Sequence, residues 1–169
     1  MKTMILVFVS LCVIQLPLLA QESSSSTIFN PAKILEAHNL LRQEVGVPAL
    51  EWSEELAEKA QKWAEKLALK NQGEEWYLEH SGSGENLAGG FVTGDLPEVR
   101  VSDGWGSEKE DFDFSAKSCL AIEKCGHYSQ IIWRNTTKVG CGLKANENGK
   151  YILVCNYDPP GNVRGQTAF

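Results

Sequence analysis

Cys125-Gly126-His127-Tyr128-Ser129-Gln130-Ile131-Ile132-Trp133 sets a cysteine beside a histidine held between glycine and tyrosine, then runs through apolar residues to a tryptophan. Cys141 follows, and then Cys155-Asn156-Tyr157-Asp158-Pro159-Pro160-Gly161-Asn162. Between them, 151–157 is a nearly unbroken run of β-formers, the pattern of a strand buried on both faces. A turn at Glu147-Asn148-Gly149 joins it to 139–146. With those three residues as the loop and Gly149 in the left-handed region, Asn146 pairs with Lys150, and counting back sets Cys141 opposite Cys155. Cross-strand partners lie ~4.5–5.5 Å apart at Cα, within disulfide range. A two-residue Asn-Gly turn would slip the register by one and separate the cysteines, so turn and disulfide support each other.

Upstream the periodicity is helical. Asn30-Pro31 reads as an N-cap followed by proline at the first helical position, with Phe29 and Ile34 at the staple positions. Ile34, Ala37, His38, Leu41 and Val45 then share one face until Gly46 and Pro48 stop the run. A second helix opens at Ser53 with Glu54 and Glu55 at its positive end, and Leu56, Ala60, Trp63, Ala64 and Leu67 form its apolar stripe. A further helical segment is expected over 97–108, weakened by Gly104 and Gly106 at ~1 kcal/mol each. Helices first and strands last give an α+β chain with a mostly antiparallel sheet.

Lys2, an apolar run over 4–19 and Ala20-Gln21 read as a signal peptide over 1–20, its apolar stretch too short for a membrane span, so the chain is expected to be secreted. Residues 21–29 read as a serine-rich lead-in, and 30–169 as one domain. Removing Lys2 with the signal peptide takes the net formal charge from −6 to −7. With no basic stripe, that balance excludes nucleic acid as a partner, and neither membrane insertion nor oligomerisation is expected. Cys12 leaves with the signal peptide. The four remaining cysteines form no Cys-x-x-Cys metal pair and imply two disulfides, Cys141–Cys155 from the hairpin and hence Cys119–Cys125. Asn135-Thr136-Thr137 is a sequon, which makes Asn135 a glycosylation candidate.

The 125–133 and 155–162 stretches resemble, in order and spacing, the paired signatures of the CAP superfamily: cysteine-rich secretory proteins, insect venom antigens and plant group-1 pathogenesis-related proteins. The resemblance runs from about residue 34 to 166 and implies an α-β-α sandwich. In that family two histidines and two glutamates converge at the floor of a cleft. Residue by residue, His80 and Glu85 match the loop His80-Ser81-Gly82-Ser83-Gly84-Glu85-Asn86, Glu108 matches the glutamate after the tryptophan of the third helix (here Trp105), and His127 matches the second signature. Ser129 stands where threonine is usual and keeps the hydroxyl. A third bridge typical of plant relatives is missing with both its partners, in 76–80 and 143–146.

Two imidazoles and two carboxylates could bind a divalent cation, zinc or alternatively magnesium or calcium. They could instead form a hydrogen-bonded network in which each carboxylate orients a ring, an alternative that stands behind the metal-capable cleft. Catalysis lacks machinery: there is no Gly-x-Ser-x-Gly elbow, Ser81 and Ser83 read as turn formers, and oxidised cysteines are not nucleophiles. His38 reads as a structural histidine facing the core. The leading expectation is a secreted, defence-related or ligand-binding protein, with sterols or fatty acids the ligand class the resemblance implies. The alternatives are a hydrolase or protease working from the His/Glu cleft, and a precursor releasing a C-terminal signalling peptide after Asp158. Against the last, the tail ends Thr-Ala-Phe rather than Arg-Pro-Tyr, and is expected to pack Phe169 or Val163 onto the domain.

Overall fold

The structure is a computed structural model that describes residues 29–94 and 96–169; the expected signal peptide and most of the serine-rich lead-in lie outside the described residues. Helix α1 (Pro31–Glu44) begins as its sequence dictates, the Asn30 side chain accepting from Ala32 N at 3.1 Å and Lys33 N at 3.3 Å. Gly46, at φ +69°, ends the turn that follows. Strand β1 (Glu51–Trp52) leads to α2 (Glu54–Lys70), where Ser53 Oγ accepts from Leu56 N. Strand β2 (Glu85–Phe91), α4 (Ile122–Ile131), β3 (Lys138–Ala145) and β4 (Lys150–Asp158) complete the main frame.

The sheet order is β1-β3-β4-β2, with β1 parallel to β3 and the other pairs antiparallel. β4 is central, and its alternation divides the core. Tyr151, Leu153, Cys155 and Tyr157 face α1, α4 and residues 97–112, whereas Ile152 and Val154 face α2. This is the three-layer α-β-α arrangement. On the α2 side a Cβ added to Gly140 or Gly142 would fall 2.3 Å from α2 backbone nitrogens, so only glycine lets that helix lie so close.

The hairpin has the expected register: Ala145 faces Tyr151, Cys141 faces Cys155, and Gly149 takes φ +75°. Cys141–Cys155 closes it at a Cα–Cα distance of 4.1 Å, and Cys119–Cys125 spans 5.6 Å beside α4. The segment expected as one helix over 97–108 is instead three short pieces: α3 (Pro97–Val99), a π-helical turn (Arg100–Trp105) and a 3-10 turn (Gly106–Asp111). Gly104 and Gly106 supply little helical preference, and the change of pitch carries Trp105 inward.

Two polar clamps hold the layers together. Arg42, fully buried, donates to the carbonyls of Pro48, Ile131, Trp133 and Thr136 at 2.6–3.0 Å, tying α1 to the negative end of α4. Burial lowers its pKa to about 10, which leaves it charged at neutral pH. Lys150 Nζ donates to the carbonyls of Gly73 and Glu74, both at 2.7 Å, beneath the Trp76 ring. Asn71, with Tyr77 and Asn146, completes the tie between loop and hairpin.

The C-terminal segment is part of the body. Ala168 is 1 % exposed; its N–H donates to Lys117 O at 2.8 Å and its carbonyl accepts from Arg134 N at 2.7 Å. Phe169 stacks on Phe112 with ring centroids 6.1 Å apart, whereas Val163 stays exposed.

Candidate functional site

Glu85 opens β2, and its side chain is fully buried. A buried carboxylate needs donors. It receives the N–H of Ser81 at 2.8 Å and the Ser81 hydroxyl at 2.5 Å, with His80 Nδ1 at 3.2 Å. Ser81 therefore does more than form a turn: it folds the 80–85 loop onto the carboxylate that orients His80. The His80 ring is half exposed.

The second pair is built alike from other elements. Glu108, in the 3-10 turn, has Oε1 2.6 Å from His127 Nδ1, and Oε2 accepts the main-chain N–H groups of His127 (3.0 Å) and Tyr128 (3.1 Å). Trp105 stacks on the His127 imidazole, centroids 5.6 Å apart at 19°. The indole fixes the plane of the ring and the carboxylate fixes its rotation.

Asn86 links the pairs. Its amide donates to the His127 carbonyl at 3.1 Å and to the Tyr157 hydroxyl at 3.1 Å. That hydroxyl also lies 2.7 Å from His38 Nε2. Since Tyr157 accepts from Asn86, its one proton goes to His38 Nε2; His38 Nδ1–H then donates to Ile34 O at 2.8 Å. His38 is thus a neutral, doubly satisfied ring, and burial lowers its pKa to about 4. Burial also pushes the Tyr157 hydroxyl well above its ordinary value, which keeps that proton in place.

Each site imidazole spends Nδ1 on a carboxylate, leaving Nε2 as the ring nitrogen for a ligand, the arrangement of carboxylate–histidine–metal triads. The four residues do not gather three donor atoms within 4.8 Å. Among the described residues only His38, Cys141 and Cys155 do so, and there the sulfurs are joined and both His38 nitrogens are engaged. In each pair the carboxylate stands on the Nδ1 side of its imidazole, Glu85 behind His80 and Glu108 behind His127. Ser81 has no imidazole placed as its base, since its hydroxyl and His80 Nδ1 turn to the same carboxylate.

The pattern of the Cysteine-rich secretory protein family (CAP) matches residues 35–157. The chain belongs to the CAP family. It is 37% identical over 161 residues to Pathogenesis-related leaf protein 4 of Solanum lycopersicum, covering 95% of this chain and 97% of that protein. To Pathogenesis-related protein 1A of Nicotiana tabacum it is 41% identical over 138 residues, 80% of this chain and 78% of that one. Among solved structures, Hookworm Platelet Inhibitor superposes with a TM-score of 0.67 at 24% identity, covering 82% of this chain and 73% of that one. NaASP2, solved with Zn2+, gives 0.65 at 23% identity, covering 82% and 83%. These likenesses establish the CAP fold.

The matched loop and signature motifs pointed to His80, Glu85, Glu108 and His127. Three further participants were not anticipated in their roles. Trp105 was noted only for its spacing to Glu108, Ser81 only as a turn former, and Asn86 only as part of the loop motif. The i, i+3 spacing of Trp105 and Glu108 was the available signal; nothing local marks Asn86, whose partners are 41 and 71 residues away.

Proposed function

We propose that the chain is a secreted, defence-related extracellular protein that binds a small hydrophobic ligand of the sterol or fatty-acid class, beside a His80/His127 cleft competent to hold a divalent cation. The observation that carries the ligand reading is a groove of about 500 Å³ between α1 and the 97–109 segment, with Ala37, Leu40 and Leu41 on its wall and a rim of charged and polar residues that includes Glu36, Ser102 and Asp103. That volume suits a small ligand. Two ion pairs link its sides, Lys33–Glu98 at 3.4 Å and Lys109–Glu44 at 3.2 Å. Lys109, on its rim, is the sequence neighbour of Glu108. The pathogenesis-related names of the plant relatives support the defence role, and two disulfides suit an oxidising compartment. Exposed Asn135 is available for a glycan.

A bound cation would supply a fixed positive charge at the cleft, held by Nε2 of His80 and His127; zinc suits imidazole better than magnesium or calcium does. The chain's own residues hold the plane of the His127 ring, through Trp105, and the tautomers of both rings, through Glu85 and Glu108. The test is binding of radiolabelled cholesterol and palmitate to purified protein, with and without added zinc. Saturable binding of either lipid, weakened by Leu40→Glu at the exposed groove wall, supports the reading; no binding of either under both conditions contradicts it.

A further inference from the structure

We propose that the disulfide-closed 119–125 loop, with the tail packed beside it, is a peripheral docking surface for anionic lipid bilayers. The loop carries Leu120, 82 % exposed, and Ile122, 56 % exposed, and Val163 of the tail joins them at 41 %. Exposed aliphatics of this size concentrated on one projection mark a contact surface. The Cys119–Cys125 bridge closes the loop, and Asn162 fastens the tail to it by donating to Gly126 O at 2.9 Å. Leu120, Ile122, Trp133, Val163 and Arg164 line a common groove of about 370 Å³.

The charges around this tip run against those of the chain. Lys117, Lys124, Arg134 and Arg164 are all exposed, and none of them forms an ion pair among the described residues. Main-chain bonds hold three stretches of this rim together, Ala168 N to Lys117 O and Arg134 N to Ala168 O; the Lys117 ammonium sits over Phe169. The acids nearby in sequence are Glu123, Asp113 and Asp158, and one Asp113 oxygen already accepts from Ser115 N and Ala116 N. The remaining acidic groups give the chain its net −6, but at physiological salt a charge is screened within ~8–10 Å. A bilayer touching this tip therefore responds to the local cations. Aliphatic side chains ringed by cations suit the headgroup–acyl boundary better than a soluble polyanion, which offers nothing to Leu120 or Ile122. The surface uses none of the four cleft residues and does not depend on the ligand reading above.

Each cation near an anionic surface strengthens binding about fivefold (~1 kcal/mol). The experiment is sedimentation of the secreted chain with sterol-free vesicles, phosphatidylcholine alone or with about one-third phosphatidylserine, at ~0.1 M salt. The wild type should bind the mixed vesicles at least tenfold more tightly than pure phosphatidylcholine. K124E/R164E, at exposed positions, should weaken that binding about 25-fold or more, and L120S/I122S severalfold, with melting temperatures unchanged in both. No binding to mixed vesicles, or binding indifferent to either double variant, overturns the proposal. So does equally tight capture by heparin with no vesicle binding, which would assign the surface to a soluble polyanion.

Discussion

One carboxylate, Glu108, holds the imidazole of His127 at 2.6 Å through Oε1 while its other oxygen accepts the main-chain N–H groups of His127 and Tyr128. The residue that orients the ring also fastens the helix carrying it. Glu108→Ala should therefore cost stability as well as loosen the site, by ~2 kcal/mol for the lost charge-assisted bonds. Glu108→Gln, which keeps an acceptor, should cost less. Urea denaturation of both variants checks this; equal stability of Glu108→Ala and wild type would contradict it.

Arg42 gives a larger effect. Its guanidinium serves four carbonyls from the 48 and 131–136 stretches. Arg42→Met should destabilise by ~3 kcal/mol, and Arg42→Lys should recover little, because one ammonium cannot copy the fork. Thermal unfolding of the pair measures it.

His38 makes stability depend on pH. Its folded pKa is lowered to about 4, and an unfolded histidine titrates near 6.5, so between these values the unfolded chain binds the extra proton. The contribution is complete above ~6.5 and is lost as pH falls toward ~4, amounting in full to about 3 kcal/mol. His38→Gln should flatten this part of the stability profile. Denaturation at pH 7 and pH 4.5 for both proteins tests it, and parallel profiles would contradict the assignment.

Cys155→Ser opens the hairpin cross-link, which spans 14 residues, and should cost ~2–4 kcal/mol. Peptide mapping of the oxidised protein should recover Cys141 joined to Cys155 and Cys119 to Cys125.

Sequence reasoning carried furthest where one local rule acted alone. Asn30 and Ser53 announced their helices because capping needs only neighbouring residues, and Gly149 fixed the register that set Cys141 opposite Cys155. β2 was not anticipated, since Glu85-Asn86-Leu87-Ala88-Gly89-Gly90-Phe91 has no β-branched residue and becomes a strand only by pairing with β4. α4 was not anticipated either: Gly126 weakens it, and its hold comes from Glu108, Arg42 and the Cys119–Cys125 bridge, all distant or covalent. The same holds for the site. Its two histidines and two glutamates are legible from motifs, whereas the roles of Asn86 within the site and of Arg42 beneath it depend on partners that only the tertiary fold brings near.

The proposed cation site rests on His80 and His127 presenting Nε2 from rings fixed by Glu85 and Glu108. Calorimetric zinc titration tests it most directly. Wild type should bind, more weakly as the solution is acidified because protons compete for imidazole. Glu85→Gln or Glu108→Gln should weaken binding by about 10–100-fold, as loss of a supporting carboxylate does. The His80→Ala, His127→Ala double variant should lose binding altogether; zinc affinity equal to that of wild type in this variant would contradict the account.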